Sequence, residues 1–218
     1  MYSVKEIFYS LQGEGAHAGR PAVFVRFAGC NLWSGREQDR ESAVCSFCDT
    51  DFVGTDGGHG GKFETPDDLV QAALKVARQE GAVLPTSGPA LPLMVVFTGG
   101  EPVLQLDGPL IHAFQAEGFF TAVETNGTLK TPLALDWVCV SPKAGSEIVQ
   151  RSGDELKVVY GQEGVDLDAL LDWDFVHFYL QPMDGPDIDR LTKEVVSYCK
   201  AHPNWKLSLQ SHKILNIP

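Results

Sequence analysis

The sequence predicts an α/β fold built around a parallel sheet. The chain has 218 residues, and strand patterns alternate with helical patterns along most of it. That alternation is typical of strand-helix-strand units, whose strands run parallel. Residues 93–97 form an unbroken apolar run, as expected for a strand covered on both faces. The chain is shorter than the ~250 residues of a closed eight-stranded barrel, so an open doubly wound sheet and a partial barrel both fit, and periodicity does not decide between them.

The strand and helix signals follow one another in a regular order. Strands are predicted at residues 22–27, 93–97, 119–123, 137–140, 156–159, 176–180 and 206–210. The first helix is predicted to begin at Thr65, an N-cap residue followed by Pro66 and, three residues after the cap, by Asp68. It is expected to close at Gly81. Later helices are predicted at 106–118, at 165–171 and from residue 188 to a stop before residue 203.

Composition and charge limit the class of protein. The chain carries 17 basic and 29 acidic side chains, for a formal net charge of −12. That excess of acid argues against a nucleic-acid partner and against an anionic membrane surface. The N-terminus has no signal-peptide pattern and no apolar run is long enough to span a bilayer, so we expect a cytoplasmic protein. Its five cysteines are then expected as thiols or metal ligands rather than as disulfides.

Polar side chains follow the predicted strands at the points where the strands end. Five strand ends carry a glutamate, lysine, histidine or amide beside the turn residues: 98–102, 124–127, 141–143, 181–184 and 211–213. Because the carboxyl ends of parallel strands line one mouth, where ligands bind in such folds, these side chains predict a shared ligand site. Ordinary turn chemistry is the alternative for any one of them.

Three cysteines form a cluster with the spacing Cys-x14-Cys-x2-Cys: Cys30, Cys45 and Cys48. The other two, Cys139 in an apolar strand and Cys199 on the apolar face of a helix, are expected as buried thiols. A closed zinc site needs four ligands, and His59 is the candidate for the fourth. A set of three cysteines also suits an iron–sulfur cluster with one iron free for a non-protein ligand. The spacing alone leaves both metal sites open.

The neighbours of this cluster resemble the radical S-adenosylmethionine (SAM) superfamily. Three cysteines near the first strand are followed, one strand later, by Gly99-Gly100-Glu101-Pro102. In that superfamily three cysteines hold a 4Fe–4S cluster, SAM chelates the open iron, and a loop of this type binds the SAM amino group. A glutamate and backbone carbonyls suit an ammonium, and glycines allow close approach. The usual superfamily spacing, Cys-x3-Cys-x2-Cys, has a much shorter first gap.

Further segments narrow the resemblance to one family. They are Leu11-Gln12-Gly13-Glu14-Gly15, residues 27–35, Cys48-Asp49-Thr50-Asp51, residues 141–143, residues 181–184 and the closing Asn216-Ile217-Pro218. With the long first cysteine gap, they resemble the 7-carboxy-7-deazaguanine synthases over nearly the whole chain. The resemblance implies one domain at residues 1–218, with an insertion flanking the cluster at about 31–61. It also implies a partial, open, trimmed TIM-like barrel of the radical SAM type, with about six parallel core strands.

The resemblance implies a reaction and its cofactors. Members of this family convert 6-carboxy-5,6,7,8-tetrahydropterin to 7-carboxy-7-deazaguanine with loss of ammonia, on the way to 7-deazapurines such as queuosine. An electron from the 4Fe–4S cluster cleaves SAM, the 5′-deoxyadenosyl radical starts the rearrangement, and Mg²⁺ supports it. The implied partners are the small-molecule pterin, an electron donor such as flavodoxin or ferredoxin, and a second copy of the chain in a homodimer.

The resemblance also assigns residues to these groups. The implied cluster ligands are Cys30, Cys45 and Cys48, and the implied magnesium ligand is Thr50. The residues implied to lie along SAM are Phe47, Cys48, Asp49, Gly100, Ser141, Pro142, Lys143, Gln181, Pro182, Met183 and Asp184. The residues implied to contact the pterin are Leu11, Gln12, Gly13, Glu14, Arg26, Thr98, His212 and Pro218. No protein side chain is implied as the catalyst, because the SAM-derived radical carries out the chemistry.

Several of these residues have a second interpretation. Arg26 lies in an apolar strand, where its partner is either a substrate carboxylate or an internal salt bridge. The Thr50 hydroxyl suits a turn as well as Mg²⁺, and His212 rests mostly on the family resemblance. The apolar tail at 214–218 is expected to fold back onto the domain, which would remove its aliphatic side chains from water. Simple packing, an oligomer contact or a Pro218 carboxylate against the substrate would each explain the tail.

Two other functions share part of the pattern. A glycyl-radical-enzyme activase would have the same cluster and glycine-rich loop, but it would act on a protein and need no Mg²⁺. A zinc-stabilised module without enzymatic activity would use the three clustered cysteines and His59. Iron–sulfur protein is brown and bleaches in air, whereas zinc protein is colourless, so the colour of anaerobically purified protein separates the zinc module from the enzymes.

Overall fold

The structure is a computed structural model that describes residues 1–83 and 91–218. The strands within these residues are β1 Tyr2–Leu11, β2 Pro21–Phe27, β3 Gly61–Phe63, β4 Met94–Gly99, β5 Phe120–Thr125, β6 Trp137–Val140, β7 Ser152–Tyr160, β8 Asp174–Pro182 and β9 Trp205–Leu207. The helices are α1 Pro66–Gln79, α2 Gly108–Ala116, α3 Leu167–Leu170, α4 Ile188–Ala201 and α5 Ser211–Leu215. Short 3-10 turns lie between several of these elements, including one at Glu37–Ser42.

All these strands belong to one open sheet. Their order is β3-β1-β2-β4-β5-β6-β7-β8-β9, and within the described residues β3 and β9 end the sheet without pairing with each other. Strand β2 and strands β4 to β9 run parallel, whereas β1 is antiparallel to β2 and to β3. The predicted α/β class with a parallel, unclosed sheet is therefore confirmed.

Helices cover one face of the sheet, and the alternation of side chains along the strands explains why. In β2, Val23 and Val25 are fully buried in a core that includes Leu69 of α1 and Leu110 of α2. A second core packs α3 and α4 against β7 and β8, with Val195 of α4 fully buried. None of the helices in residues 1–83 and 91–218 combines the length and the hydrophobicity that a bilayer span requires.

The other face of the sheet changes from apolar to polar along the strands. Its apolar part is a small cluster formed by Ala22, Phe24, Met94, Val96 and Ala122. Two residues further along β2, β4 and β5 come Arg26, Thr98 and Glu124, and Arg26 pairs with Thr98 across the sheet. Since side chains two apart in a strand share a face, the carboxyl end of this face carries polar and charged groups. The fold thereby places a polar region at the carboxyl end of this face, next to the apolar cluster.

Most predicted helices and strands are present, with shifts at their ends. Helix α1 begins as predicted, because the Thr65 side chain accepts a hydrogen bond from the Asp68 backbone and the Asp68 carboxylate accepts one from the Thr65 backbone. Helix α2 begins at Gly108 rather than at residue 106, since the Asp107 carboxylate caps its first turn by accepting from Leu110 N. Helix α3 has only four residues.

Other boundaries are wrong. The last predicted strand, 206–210, is β9 at Trp205–Leu207, and residues 211–213, expected as a loop, begin α5. Gln181 and Pro182, expected after the strand, are the last residues of β8. Strand β1 is not predicted at all, because an irregularity between Val4 and Glu6 interrupts its alternation.

Candidate active site

The carboxyl ends of the parallel strands open into two adjoining cavities of about 190 and 240 Å³. The first, here called the cysteine cavity, is lined by the three clustered cysteines and by residues from the ends of β4 to β8. The second, here called the tail cavity, is lined by the turn after β1 and by the C-terminal segment. The residues that line both are Glu14, Asp49, Thr50, Thr98, Glu124 and Gln210. The two cavities therefore share a wall.

A folded loop brings the second and third cysteines back to the first. Cys30 follows β2, and Arg40 lies further along the loop, with its guanidinium 4.2 Å from the centre of the Trp33 ring. Arg40 also donates to the backbone carbonyls of Ser46 and Cys48, each at 2.9 Å. Trp33 is buried and packs edge-on against the Phe52 ring. These contacts hold the loop in place.

The three thiols differ in their ease of ionisation. A hydrogen bond from the Cys45 thiol lowers the pKa of Cys48 to about 6, although burial opposes this. The same hydrogen bond and burial raise the pKa of Cys45 well above its usual range. Burial raises the pKa of Cys30 as well. Only a thiolate ligates a metal, so one of the three thiols is ready to act as a ligand near neutral pH.

The cysteine cavity brings together the three thiols that an iron–sulfur cluster would use. Within residues 1–83 and 91–218, no three His, Cys, Asp or Glu side chains are grouped closely enough to hold one metal ion. His59 is exposed and does not line the cysteine cavity, so the predicted fourth zinc ligand is not supplied. A cluster of several irons is wider than one ion, and three thiols around one cavity suit it. Cys139 is buried away from this cavity, as predicted.

The loop after β4 joins the cysteine segment to β5. Gly100 lies against the backbone of Gly29 and the side chain of Cys30, where a Cβ atom would clash. Glu101 is fully buried and its carboxylate accepts hydrogen bonds from the Thr125 hydroxyl at 2.7 Å and from the Asn126 backbone at 2.8 Å. The Glu101 side chain is thus occupied by the protein's own donors. This differs from the expectation that it would face a ligand ammonium.

The residues that the family resemblance assigns to SAM line one cavity, with one exception. Those lining the cysteine cavity are Phe47, Cys48, Asp49, Gly100, Ser141, Lys143, Gln181, Pro182, Met183 and Asp184. Pro142 does not line it; its carbonyl accepts a long hydrogen bond of 3.4 Å from Gln162. The Lys143 ammonium donates to the Ser141 hydroxyl at 2.6 Å, which holds that turn together.

The residues that the family resemblance assigns to the pterin also line one cavity. All of them line the tail cavity: Leu11, Gln12, Gly13, Glu14, Arg26, Thr98, His212 and Pro218. The Ser211 hydroxyl donates to the Gly13 carbonyl at 2.8 Å, and the His212 ring packs directly against Gly13. The Ser10 hydroxyl donates to the Pro218 carbonyl at 2.8 Å. The C-terminal segment therefore folds back onto the turn after β1.

Burial of the tail is only partial. Ile214 and Leu215 remain 73% and 58% exposed, so the expectation that folding back removes them from water is wrong. Ile217 is half-buried, and its backbone N–H donates to the His212 carbonyl at 3.1 Å. Polar contacts, more than apolar burial, attach the tail to the rest of the chain.

Arg26 has an internal partner. Its Nε donates to the Glu6 carboxylate at 2.7 Å, and its guanidinium lies 5.5 Å from the centre of the Phe8 ring. A guanidinium has five N–H donors, and this ion pair uses one of them. The internal salt bridge and a ligand contact in the tail cavity are therefore compatible.

Four charged or polar residues of the site have no ligand assigned from the sequence: Glu124, Lys157, Gln210 and Lys213. Glu124 and Lys213 belong to strand ends that are predicted to form the shared ligand site, whereas Lys157 and Gln210 are not singled out. Lys213 of α5 donates to Asp49 at 2.5 Å and to Asp184 at 2.6 Å, linking the cysteine loop to the end of β8. Although burial opposes it, this contact lowers the pKa of Asp49. The sequence contains a sign that Lys157 is unusual. It is the one charged residue of the predicted strand 156–159, as Arg26 is of the predicted strand 22–27.

Curated relatives match the chain over its full length. A 7-carboxy-7-deazaguanine synthase from Caulobacter vibrioides is 58% identical over 217 residues, which are 100% of this chain and 99% of the relative. One from Burkholderia multivorans has the same identity and coverage. A more distant one, from Synechocystis, is 29% identical over 99% of this chain. No protein-family model matches the chain.

A solved structure matches the fold as well. The crystal structure of QueE from Escherichia coli superposes with a TM-score of 0.65 at 29% sequence identity. The match covers 95% of this chain and 93% of that chain. The similarity therefore extends over the sheet and the loops at its carboxyl end, rather than over one motif.

Proposed function

We infer the use of the site from one premise: the chain belongs to the 7-carboxy-7-deazaguanine synthase family, whose members are radical SAM enzymes. The reaction of this family converts 6-carboxy-5,6,7,8-tetrahydropterin to 7-carboxy-7-deazaguanine with loss of ammonia. The observation that supports this most directly is the pair of adjoining cavities. One offers three thiols for a cluster and the other offers carboxylate, amide and guanidinium groups for a polar heterocycle.

We propose that Cys30, Cys45 and Cys48 hold a 4Fe–4S cluster and that SAM binds in the cysteine cavity beside it. When bound, the cluster supplies the electron that cleaves SAM. The chain's own residues bind and orient the cofactor. Gly100 lines the cavity, and its missing Cβ lets the loop after β4 lie directly against Gly29 and Cys30, which keeps that loop beside the cysteines. Lys143 contributes a positive charge to the same cavity.

We propose that the pterin binds in the tail cavity. The Glu14 carboxylate accepts hydrogen bonds from the pterin N–H groups, and the Gln12 amide both donates and accepts. Both residues lie on the turn after β1, and Glu14 lines both cavities. Thr98, His212 and the Pro218 end complete the pocket. A substrate held there would lie next to the shared wall, and so next to the cofactor.

A direct assay tests this function. Protein purified and reconstituted without oxygen is supplied with SAM, a reductant and the tetrahydropterin, and the products are separated by chromatography. We expect 7-carboxy-7-deazaguanine, formed only when SAM and iron are both present. SAM cleavage without any deazaguanine product, in protein with full iron content, would contradict the assignment.

Arg26 is expected to bind the substrate carboxylate. Lysine keeps the charge but loses the planar fork, so Arg26→Lys should raise KM for the pterin by about tenfold or more, with a smaller change in kcat. Steady-state kinetics at saturating SAM measures both. Glu6→Gln is the matched control, since it breaks the internal ion pair from the other side. If both variants lose stability equally and neither changes KM, Arg26 serves only the fold.

We propose that Thr50 ligates a magnesium ion at the wall between the cavities. Magnesium keeps several waters and takes few protein ligands, so one hydroxyl with substrate oxygens is sufficient. Thr50→Val, which removes the hydroxyl, should lower turnover by about tenfold or more while SAM affinity stays within about twofold. Titration of Mg²⁺ into metal-depleted protein measures the dependence. A rate that does not change on removal of Mg²⁺ would refute the metal site.

We also propose the setting in which the enzyme works. Residues 1–218 form one domain with an insertion at 31–61, the protein is cytoplasmic, and flavodoxin or ferredoxin donates the electron.

The active form is a homodimer. Support for a second copy comes from aliphatic side chains left exposed near the C-terminal end of the chain: Leu207, Leu209, Ile214 and Leu215. Sedimentation of the purified chain tests the dimer.

A further inference from the structure

Lys157 of β7 is a buried lysine between two carboxylates. Its side chain is 4% exposed, and its ammonium lies 2.5 Å from Glu14 and 3.1 Å from Glu124. Lysine is almost never fully buried without a partner, and here it has two. Glu14 comes from the turn after β1 and Glu124 from β5, so the lysine joins three separate parts of the chain.

Amide side chains complete the network. The Gln12 amide donates to the second oxygen of Glu124 at 2.9 Å. The Gln210 amide donates to the second oxygen of Glu14 at 3.0 Å. Both carboxylates therefore have each oxygen fixed by one donor, with Lys157 at the centre. Because a carboxylate oxygen accepts more than one hydrogen bond, both can still accept from a ligand in the cavities that they line.

The charges in this network do not balance. One ammonium faces two carboxylates, and a third, Glu155, lies two residues before Lys157 on the same strand. Burial raises the pKa of Glu155, whereas Lys157 lowers the pKa of Glu14 despite its burial. The charges of Glu124 and Glu14 in turn raise the pKa of Lys157 well above its usual range, against the effect of burial. Lys157 thus stays cationic and keeps Glu14 anionic.

We propose that Lys157 is a positioning residue that keeps Glu14 anionic and holds the Glu14 and Glu124 side chains correctly oriented for the pterin. This inference rests on the proposed contact between Glu14 and the pterin N–H groups. A carboxylate can accept from those groups with both oxygens, but a protonated carboxyl must present a donor on one of them. Without the ammonium, the partly buried Glu14 carboxylate faces the Glu124 carboxylate unpaired, which favours the protonated form of Glu14. The protonated carboxyl would then present an O–H donor to the pterin N–H groups, which are donors themselves.

The test measures binding of 6-carboxy-5,6,7,8-tetrahydropterin without oxygen, and separately binding of SAM. Lys157→Met should weaken pterin binding at pH 7 by about 30-fold, on the scale of a charged hydrogen bond, and change SAM binding by less than about threefold. Lys157→Arg, which restores the charge, should recover most of the affinity. Lys206→Met, at an exposed lysine of β9, two strands from β7, is the matched control and should leave pterin binding unchanged.

A pH series distinguishes positioning from a general loss of structure. In Lys157→Met the Glu14 carboxyl faces Glu124 from β5 and His212 from α5, with no ammonium between them. The pKa of Glu14 is then raised, so its carboxyl can accept with both oxygens only when the pH rises above that pKa. Pterin affinity of this variant should therefore increase from pH 6 to 9, beyond any change in the unmodified protein. A structural defect gives weak binding at every pH.

A second variant keeps the test decisive if Lys157→Met does not fold. Lys157→Met combined with Glu124→Gln removes one charge of each sign, so no like-charged pair is buried. Glu14 still lacks the ammonium but no longer faces a second carboxylate, so this variant should bind the pterin more weakly than the unmodified protein, with a smaller pH dependence than Lys157→Met. Pterin affinity equal to that of the unmodified protein and independent of pH would overturn the role of Lys157. Glu14→Gln separates the two proposals: if it does not weaken pterin binding, the Glu14 contact itself is wrong.

Discussion

Replacement of Cys30, Cys45 or Cys48 by alanine is expected to abolish SAM cleavage and to remove most of the bound iron. The three thiols line one cavity, and each is a proposed ligand of the cluster. Loss of a residue that only supports a metal ligand already lowers metal affinity or activity by about 10- to 100-fold. Loss of a ligand itself should lower them further. Iron content per chain, the visible absorption of the cluster and the yield of 5′-deoxyadenosine measure the effect.

The two remaining cysteines provide matched controls. Cys139 is buried beside Glu155, and Cys199 packs at the edge of the second core, so neither reaches the cysteine cavity. Cys139→Ala and Cys199→Ala should lower the free energy of unfolding by about 0.5–3 kcal/mol and leave iron content unchanged. Full iron content in Cys45→Ala, or loss of iron in Cys139→Ala, would refute the assignment of ligands.

Deletion of Ile217 and Pro218 is expected to impair pterin binding by about 100-fold or more while cluster content and SAM affinity survive. Pro218 lines the tail cavity and is held there by the Ser10 hydroxyl. A carboxylate at that position can accept from pterin N–H groups, and loss of a charged hydrogen bond together with the pocket wall costs several kcal/mol. Substrate KM and separate SAM binding by the truncated protein measure the two effects.

Added residues at either end separate a specific role from a general effect. A short peptide added after Pro218 should impair pterin binding much as the deletion does, whereas the same peptide before Met1 should not. Ser10→Ala removes the hydrogen bond to the tail and should give an intermediate loss. If the protein extended after Pro218 turns over pterin at the unmodified rate, the tail only packs against the domain.

Local patterns predict much of the fold. Strand β4 follows from its apolar run, and the start of α1 follows from Thr65, Pro66 and Asp68, because these signals depend on neighbours in the sequence. Strand β1 escapes prediction because it lies near the edge of the sheet and its alternation is broken by an irregularity after Val4. The end of β8 escapes because Pro182 is typical of a turn, although the strand continues through it.

The candidate site is predictable where chemistry follows a strand end. The cysteines and the segments at 11–14 and 181–184 have distinctive residue types and lie together as the family resemblance implies. The side chains that join these segments have no such signal. Gln210 is predicted as the last residue of an ordinary strand, whereas in the structure its amide donates to Glu14, 196 positions away. Glu101 is the opposite case, since its chemistry suggests a ligand contact and the fold instead uses it internally.

The closure of the tail cavity by C-terminal residues has a consequence for the synthesis of the protein chain. Ser10 contacts Pro218 and Ser211 contacts Gly13, so the partners are separated by 208 and 198 positions in the chain. Contacts across such separations form late, and a chain emerges from the ribosome at about 5–20 residues per second. A nascent chain that lacks its last eight residues can already contain the cysteine loop and the strands around it. It cannot yet close the tail cavity, so the proposed pterin pocket is completed only after residues 211–218 have been synthesised and folded back onto the turn after β1.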